Sequence, residues 1–182
     1  KLGVGRLNVG TAVSTPLVSA SVEFGNVELT NNTDNVFKGN DSLFISGTFT
    51  NYLATSGNVV ATISTSSAYV TLNNTAEQLG VMSSTLQKDN YSTPFSCKIL
   101  PNAPLNETVV FEVTTTDGDF TNSFFVPVVV NVDFLNVAIN KISTSVGSKG
   151  QFGYNTDDQS QGLGMQLENA ISQLYEGGVM IG

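Results

Sequence analysis

The stretch that decides the fold runs from Thr108 to Asp133: Thr-Val-Val-Phe-Glu-Val-Thr-Thr-Thr, then Asp117-Gly118-Asp119, then Phe-Thr-Asn-Ser-Phe-Phe-Val-Pro-Val-Val-Val-Asn-Val-Asp. β-Branched and aromatic residues crowd both arms, and the small polar residues between them suit a tight reversal, so the stretch reads as a β-hairpin. In the first arm Val109, Phe111 and Val113 alternate with Val110, Glu112 and Thr114, which gives one apolar face and one mixed face. The second arm, Phe124 to Val132, is apolar on both faces for most of its length, as expected of a strand central to a sandwich or covered by a neighbour. Two strands alone are marginal in water, so the rest of the chain must supply the sheet that covers them.

Composition narrows the class. The 182 residues suffice for one good core or for one domain and part of another. Only 12% are charged, while Asn, Ser, Thr and Gly are abundant, a surface of uncharged polar groups in the manner of extracellular β-domains. Fifteen acidic and seven basic residues give a net charge of −8, which repels a phosphate backbone and argues against nucleic acid as a partner. No apolar run approaches the roughly 20 residues that span a bilayer, so no membrane span is expected. Cys97 is the only cysteine, which rules out an internal disulfide; alternating with Phe95 and Ile99, it is expected as a buried thiol.

Outward from the hairpin, turn signals punctuate the chain. Leu17 to Phe24 and Val27 to Thr30 predict a strand broken by a turn or bulge at Gly25-Asn26. Asn31 to Asp41 reads as a polar loop. Strands follow at Leu43 to Thr50, Val59 to Thr65, Tyr69 to Leu72, around Leu79 to Met82, and at Thr93 to Leu100, with a stiff turn at Pro101-Asn102-Ala103-Pro104. Seven to nine strands in about 115 residues, with turn signals roughly every 8 to 15, predict an all-β fold: an immunoglobulin-like antiparallel β-sandwich over residues 16–133. Without a Cys…Trp…Cys pattern it is not an antibody-type domain.

Beyond Asp133 the sequence continues as β. Phe134 to Val146 alternates, Gly150 to Tyr154 predicts a short strand, and residues 156–162 read as a loop. Leu163 to Tyr175 reads as a hairpin, with a helix over Met165 to Tyr175 as the alternative, because Leu167, Ile171 and Leu174 also lie at helical spacing. Residues 134–182 are therefore expected to be the start of a second, incomplete β-rich domain, joined to the first almost without linker. The apolar end, Gly178 to Gly182, invites edge pairing, and the chain reads as part of a longer protein.

At the other end, Gly3-x-Gly5-Arg6-Leu7-Asn8-Val9-x-x-Ala12-Val13 resembles the closing segment of the catalytic domain of subtilisin-like serine proteases, where a Gly-x-Gly-Arg turn and Asn lead into a last helix. Here Val9 and Gly10 depart from the small residues and helix formers of that family. The sequence from the Asn-rich loop to Pro101-Asn102-Ala103-Pro104 likewise resembles the immunoglobulin-like accessory domains of secreted bacterial peptidases. These resemblances imply that residues 1–15 are the tail of a preceding protease-like domain or a linker. They imply that the remainder is a non-catalytic accessory or spacer module, extracellular or at the cell surface, whose partners are the neighbouring domains of the same polypeptide, a protein substrate or the cell surface.

Candidate chemistry is sparse. A Ser-His-Asp mechanism needs a histidine base, and the chain has none, so no catalytic residue is assigned and the chain is not expected to be an enzyme. Calcium is the ligand worth weighing, since it takes clustered carboxylates from loops, but neither Asp117 with Asp119 nor Asp157-Asp158 has the spacing of an EF-hand loop. No metal ligand and no cofactor is therefore assigned. An adhesin-like or calcium-stabilised extracellular module that binds protein or glycan is the alternative function, although Trp is absent and the five Tyr are scattered. Asn31, Asn40, Asn73, Asn90 and Asn106 each begin an Asn-x-Ser/Thr triplet, read here as exposed loops.

Overall fold

The computed structural model describes residues 19–33, 35–154, 162–168, 170–172, 174 and 176–178. Residues 1–15, with the resemblance they carry, and Asp157-Asp158 lie outside the described residues, as do residues 179–182. The described residues hold fourteen strands and no helix. The deciding hairpin is present as β8 (Glu107–Thr116) and β9 (Thr121–Val130), paired in unbroken register from Glu107 opposite Val130 to Thr116 opposite Thr121. Val109, Phe111 and Val113 are fully buried, so the alternation of the first arm sets its inward face.

Seven further strands complete the sandwich: β1 (Val22–Thr30), β2 (Ser42–Asn51), β3 (Asn58–Ser64), β4 (Val70–Asn74), β5 (Ala76–Val81), β6 (Gln87–Asp89) and β7 (Phe95–Ile99). One sheet runs β1-β2-β7-β4, with β6 also on β2; the other runs β5-β3-β8-β9, and every pair is antiparallel. With β1 to β4 as strands A to D and β7 to β9 as E to G, this is the ABED-on-CFG order of an immunoglobulin-like sandwich, with β5 as an extra edge strand beside C. Between the sheets lies one core of aliphatic side chains, centred on three rings. Phe24 and Phe49 sit 4.7 Å apart, and Phe95 meets each at 6.5 Å, nearly edge-on. Burying rings such as Phe49 and Phe95 supplies about 1.5–3 kcal/mol each. Cys97 joins this core as a free, buried thiol.

Three sequence expectations need correction. The second arm of the hairpin is not a central strand: among the described residues β9 is the edge of its sheet, with Val126, Val128 and Val130 buried while Phe125 is 66% exposed. Pro127 fits that placement, because a residue without an N–H is tolerated where one side of a strand is unpaired. The loop from Asn31 to Asp41 is not wholly outside the core, since Phe37 packs against it. Finally, the strand expected to start at Thr93 has an earlier half. β6 opposes Thr48 to Thr50, and β7 continues the same line opposite Ser42 to Ile45, so the two form one strand interrupted by residues 90–94.

Asn90 explains how that interruption is tolerated. Opposite the gap, its Oδ1 accepts the Gly47 N–H at 2.9 Å, and its Nδ2 donates to the Ile45 carbonyl at 3.2 Å. A buried amide thus stands in for the missing ladder and leaves neither backbone group orphaned. Asn51, also fully buried, ties the end of β2 to three other segments: Nδ2 donates to the carbonyls of Ala54 and Met82, and Oδ1 accepts from the N–H groups of Ser21 and Leu53. At the expected bulge in β1, the register with β2 shifts between Gly25 and Glu28, and Asn26 takes a φ of 49°.

A second sheet follows at once. β10 (Phe134–Ile139) and β11 (Ile142–Gly147) form a tight hairpin around Asn140-Lys141. β12 (Gln151–Gly153), β13 (Met165–Leu167) and β14 (Glu176–Gly178) complete the order β10-β11-β12-β14, with β13 on β11. The helical alternative for residues 165–175 is not adopted, because Met165 to Leu167 pairs with Ile142 to Thr144 and Met165 also bridges Leu174. Leu135, Ile139, Ile142 and Leu167 lie on one face of this sheet and are each about half exposed or more. Among the described residues no second layer packs on that face.

Candidate functional site

Asp117, the first of the weighed carboxylates, caps its own turn. Its Oδ1 accepts the N–H groups of Asp119 and Phe120, and its Oδ2 accepts the N–H of Gly57, just before the neighbouring strand β3, at 2.8 Å. Slight desolvation pushes its pKa up, but these donors outweigh it and hold the carboxyl below the usual range. The group therefore fastens the hairpin tip to the loop before β3. Asp119 is exposed, and Gly118, with a φ of 99°, supplies the left-handed residue of the reversal. Among the described residues no three His, Cys, Asp or Glu side chains gather to hold a metal ion.

The Asn-x-Ser/Thr triplets prove heterogeneous. Asn40 and Asn73 are exposed, Asn31 and Asn106 are half-buried, and Asn90 is fully buried in the ladder gap, so the reading of all five as exposed loops fails for Asn90 above all.

Two surface features have defined shapes. The first is a shallow depression of about 360 Å³ on the outer face of the β3-β8-β9 sheet, lined by Ser64, Thr65, Ser66, Val110, Glu112 and Phe125. Strand register builds it: Ser64 opposes Glu112, and Glu112 opposes Phe125, so a hydroxyl, a carboxylate and an aromatic ring form a row across three strands. Such neighbours have Cβ atoms about 5 Å apart. The next outward-facing row holds Val110 opposite Pro127, and Val110 is 46% exposed. Thr65 is fixed at the rim by its hydroxyl, which donates to the Val110 carbonyl at 2.7 Å.

The second is the junction between sandwich and second sheet, a cleft of about 270 Å³ with Lys38, Val132, Phe134 and Val146 among its walls. Only residues 131–133 separate β9 from β10, and all three are partly buried. Asn106 clasps Asp133 twice: Nδ2 donates to the Asp133 carboxylate at 3.0 Å, and Oδ1 accepts the Asp133 N–H at 3.3 Å. Asn131 donates its N–H to Phe37 and its amide to the Ala103 carbonyl, while the Asp133 carbonyl accepts the N–H of Ser148. Polar bonds from both sheets thus converge on the joint.

Glu112 and Phe125 do not stand out as site residues in the sequence, where Phe125 falls on a strand expected to be central or covered. Pro127 was the available signal, since it marks β9 as an edge and hence opens the outer face of the hairpin.

Fold and surface together define an all-β protein, an antiparallel sandwich that carries a further sheet on a short, hydrogen-bonded joint. No family model matches the chain, and neither a curated protein nor a solved structure matches it significantly. No helix among the described residues is long and apolar enough to cross a membrane.

Proposed function

We propose that the chain is a non-catalytic structural module that holds neighbouring domains at a fixed spacing and orientation. On the resemblance of residues 1–15, it does so in a secreted bacterial protein, behind the catalytic domain of a subtilisin-like peptidase. The observation that carries the spacer reading is the joint at residues 131–133: a spacer must resist bending, and Asn106, Asn131 and Asp133 tie this short connection to both sheets. Inter-domain connections lacking such ties move by default.

Backbone ¹⁵N relaxation on the intact chain tests the reading. The spacer role expects residues 22–130 and 134–153 to tumble with one correlation time, and Asn106→Ala to give the second sheet motion of its own. Independent tumbling in the unsubstituted chain would remove the spacer function. The peptidase association has a separate test, the coding sequence preceding Lys1: if it encodes no Ser-His-Asp constellation, that association falls and the spacer reading stands on the joint alone. An adhesin-like binding role is the second reading, favoured by the depression around Phe125.

A further inference from the structure

We propose that the outer face of β3, β8 and β9 is a docking site for an extended peptide segment with the pattern apolar-x-basic, in which an Arg or Lys side chain lies over the Phe125 ring and against the Glu112 carboxylate. This does not rest on the spacer reading.

Three observations lead to it. Phe125 is 66% exposed, and it stands on the flank of β9 whose inward neighbours, Val126 and Val128, already fill the core; its ring face is therefore open to a ligand. Beside it in register, the Glu112 carboxylate makes no ion pair or hydrogen bond among the described residues. A cation placed between the two gains a charge-assisted contact from the carboxylate and a cation–π contact from the ring. Charge selects the sign of the partner as well: with 15 acidic and 7 basic residues the chain attracts cationic segments and repels anionic ones.

Spacing supplies the rest of the pattern. Val110 and Glu112 are two residues apart on β8, so their outward side chains are about 6.8 Å apart along the strand. An extended peptide has the same repeat, and a basic residue over Glu112 and Phe125 sets the residue two positions away over Val110 and Pro127, an apolar pair. Ser64 and Ser66 line the depression on its β3 side, where their hydroxyls can serve a guanidinium or peptide group.

The test is an NMR titration of the ¹⁵N-labelled full chain with acetyl-Leu-Ser-Arg-amide and with its citrulline counterpart, which keeps the shape and loses the charge. Expected are saturable shifts at Ser64, Val110, Glu112 and Phe125 with the arginine peptide, about tenfold weaker with citrulline, which loses both contacts, and weakened about two- to fivefold by Glu112→Gln or by Phe125→Ala, each of which removes one. Both substituted side chains face outward, and amide spectra of the variants before titration establish that they fold. Equal shifts from both peptides, shifts that survive both substitutions, or no shifts at these residues overturn the proposal. So does a neutral oligosaccharide that perturbs the same residues while the arginine peptide does not, since that makes the face a glycan platform.

Discussion

Replacing Asn90 tests the account of the interrupted strand. In Asn90→Ala the Gly47 N–H and the Ile45 carbonyl lose their side-chain partner in a site with no solvent exposure at Asn90. Each orphaned buried group costs about 1–3 kcal/mol, so the expected loss is about 2–6 kcal/mol. Against the roughly 5–15 kcal/mol of a typical domain this is a large fraction. With a urea m-value of about 1–3 kcal/mol/M the midpoint falls by about 0.7 M or more, measured by far-UV circular dichroism. Asn90→Asp sharpens the test. A carboxylate still accepts from Gly47 but confronts the Ile45 carbonyl with a second acceptor, and burial raises its pKa above the unfolded value of about 3.9. A raised folded pKa means stability that is present below the unfolded pKa and lost as pH rises through the folded one. The aspartate variant is thus expected to be the weaker of the two at neutral pH and to recover relative to the alanine variant as the pH falls toward 4. A loss below about 1 kcal/mol for the alanine, or parallel pH profiles for the two variants, would refute the reasoning.

Two further predictions concern the same core. Burial pushes the Cys97 thiol up to about 11, against a smaller opposing pull from the Leu43 backbone hydrogen bond, so the native chain is expected to leave Cys97 unmodified by a disulfide reagent at pH 8 and to react once urea is added. The unfolded thiol ionises near 8.5, so this group's contribution to stability is whole below that pH and is lost as pH rises toward 11, visible as a falling urea midpoint that Cys97→Ala removes. Gly47→Ala is expected to destabilise by about 1–3 kcal/mol or more, because a Cβ there would lie 2.6 Å from the Phe24 ring and 2.7 Å from the Gly25 carbonyl; an unchanged urea midpoint counts against that packing.

Period-two alternation made most of the strands legible, since a residue pattern such as Leu43, Ile45, Gly47, Phe49 has one meaning when a core lies on one side. The same signal misplaced β9. An apolar run has no preferred face, and Phe124 to Val130 reads identically whether the strand is central or at an edge; only Pro127 distinguishes them. β6 escaped because Gln87-Lys88-Asp89 carries no apolar residue at all: its place on β2 comes from the backbone and from Asn90, neither of which periodicity reports. For the surface row the difficulty was register. Ser64, Glu112 and Phe125 are far apart in sequence and ordinary singly, and only the pairing of β3, β8 and β9 puts them side by side.

Composition, too, takes on a different meaning. A chain rich in Asn with few charges suggests a polar surface, yet many of these amides act as parts of the backbone. Of the nine non-glycine residues at positive φ among those described, seven are Asn, among them Asn26 in the β1 bulge, Asn131 at the joint and Asn140 in the β10–β11 turn. Asparagine tolerates the left-handed region because its short amide bonds locally, so it takes turn positions that glycine would otherwise occupy and loses less entropy on folding. Others, Asn51 and Asn90, bridge backbone groups that the strands leave unpaired. By contrast, the single ion pair recorded among the described residues, Lys141 with Glu168, joins two side chains that are 73% and 59% exposed and is worth little in water. Where charged groups do hold the fold, they bond to neutral partners: the Asp117 carboxylate accepts backbone N–H groups at the hairpin tip, and the Asp133 carboxylate accepts the Asn106 amide at the joint. Salt screens charges and leaves amide–backbone bonds alone, so the bridges made by Asn51 and Asn90 depend little on ionic strength, whereas docking of a basic segment at Glu112 weakens as salt rises.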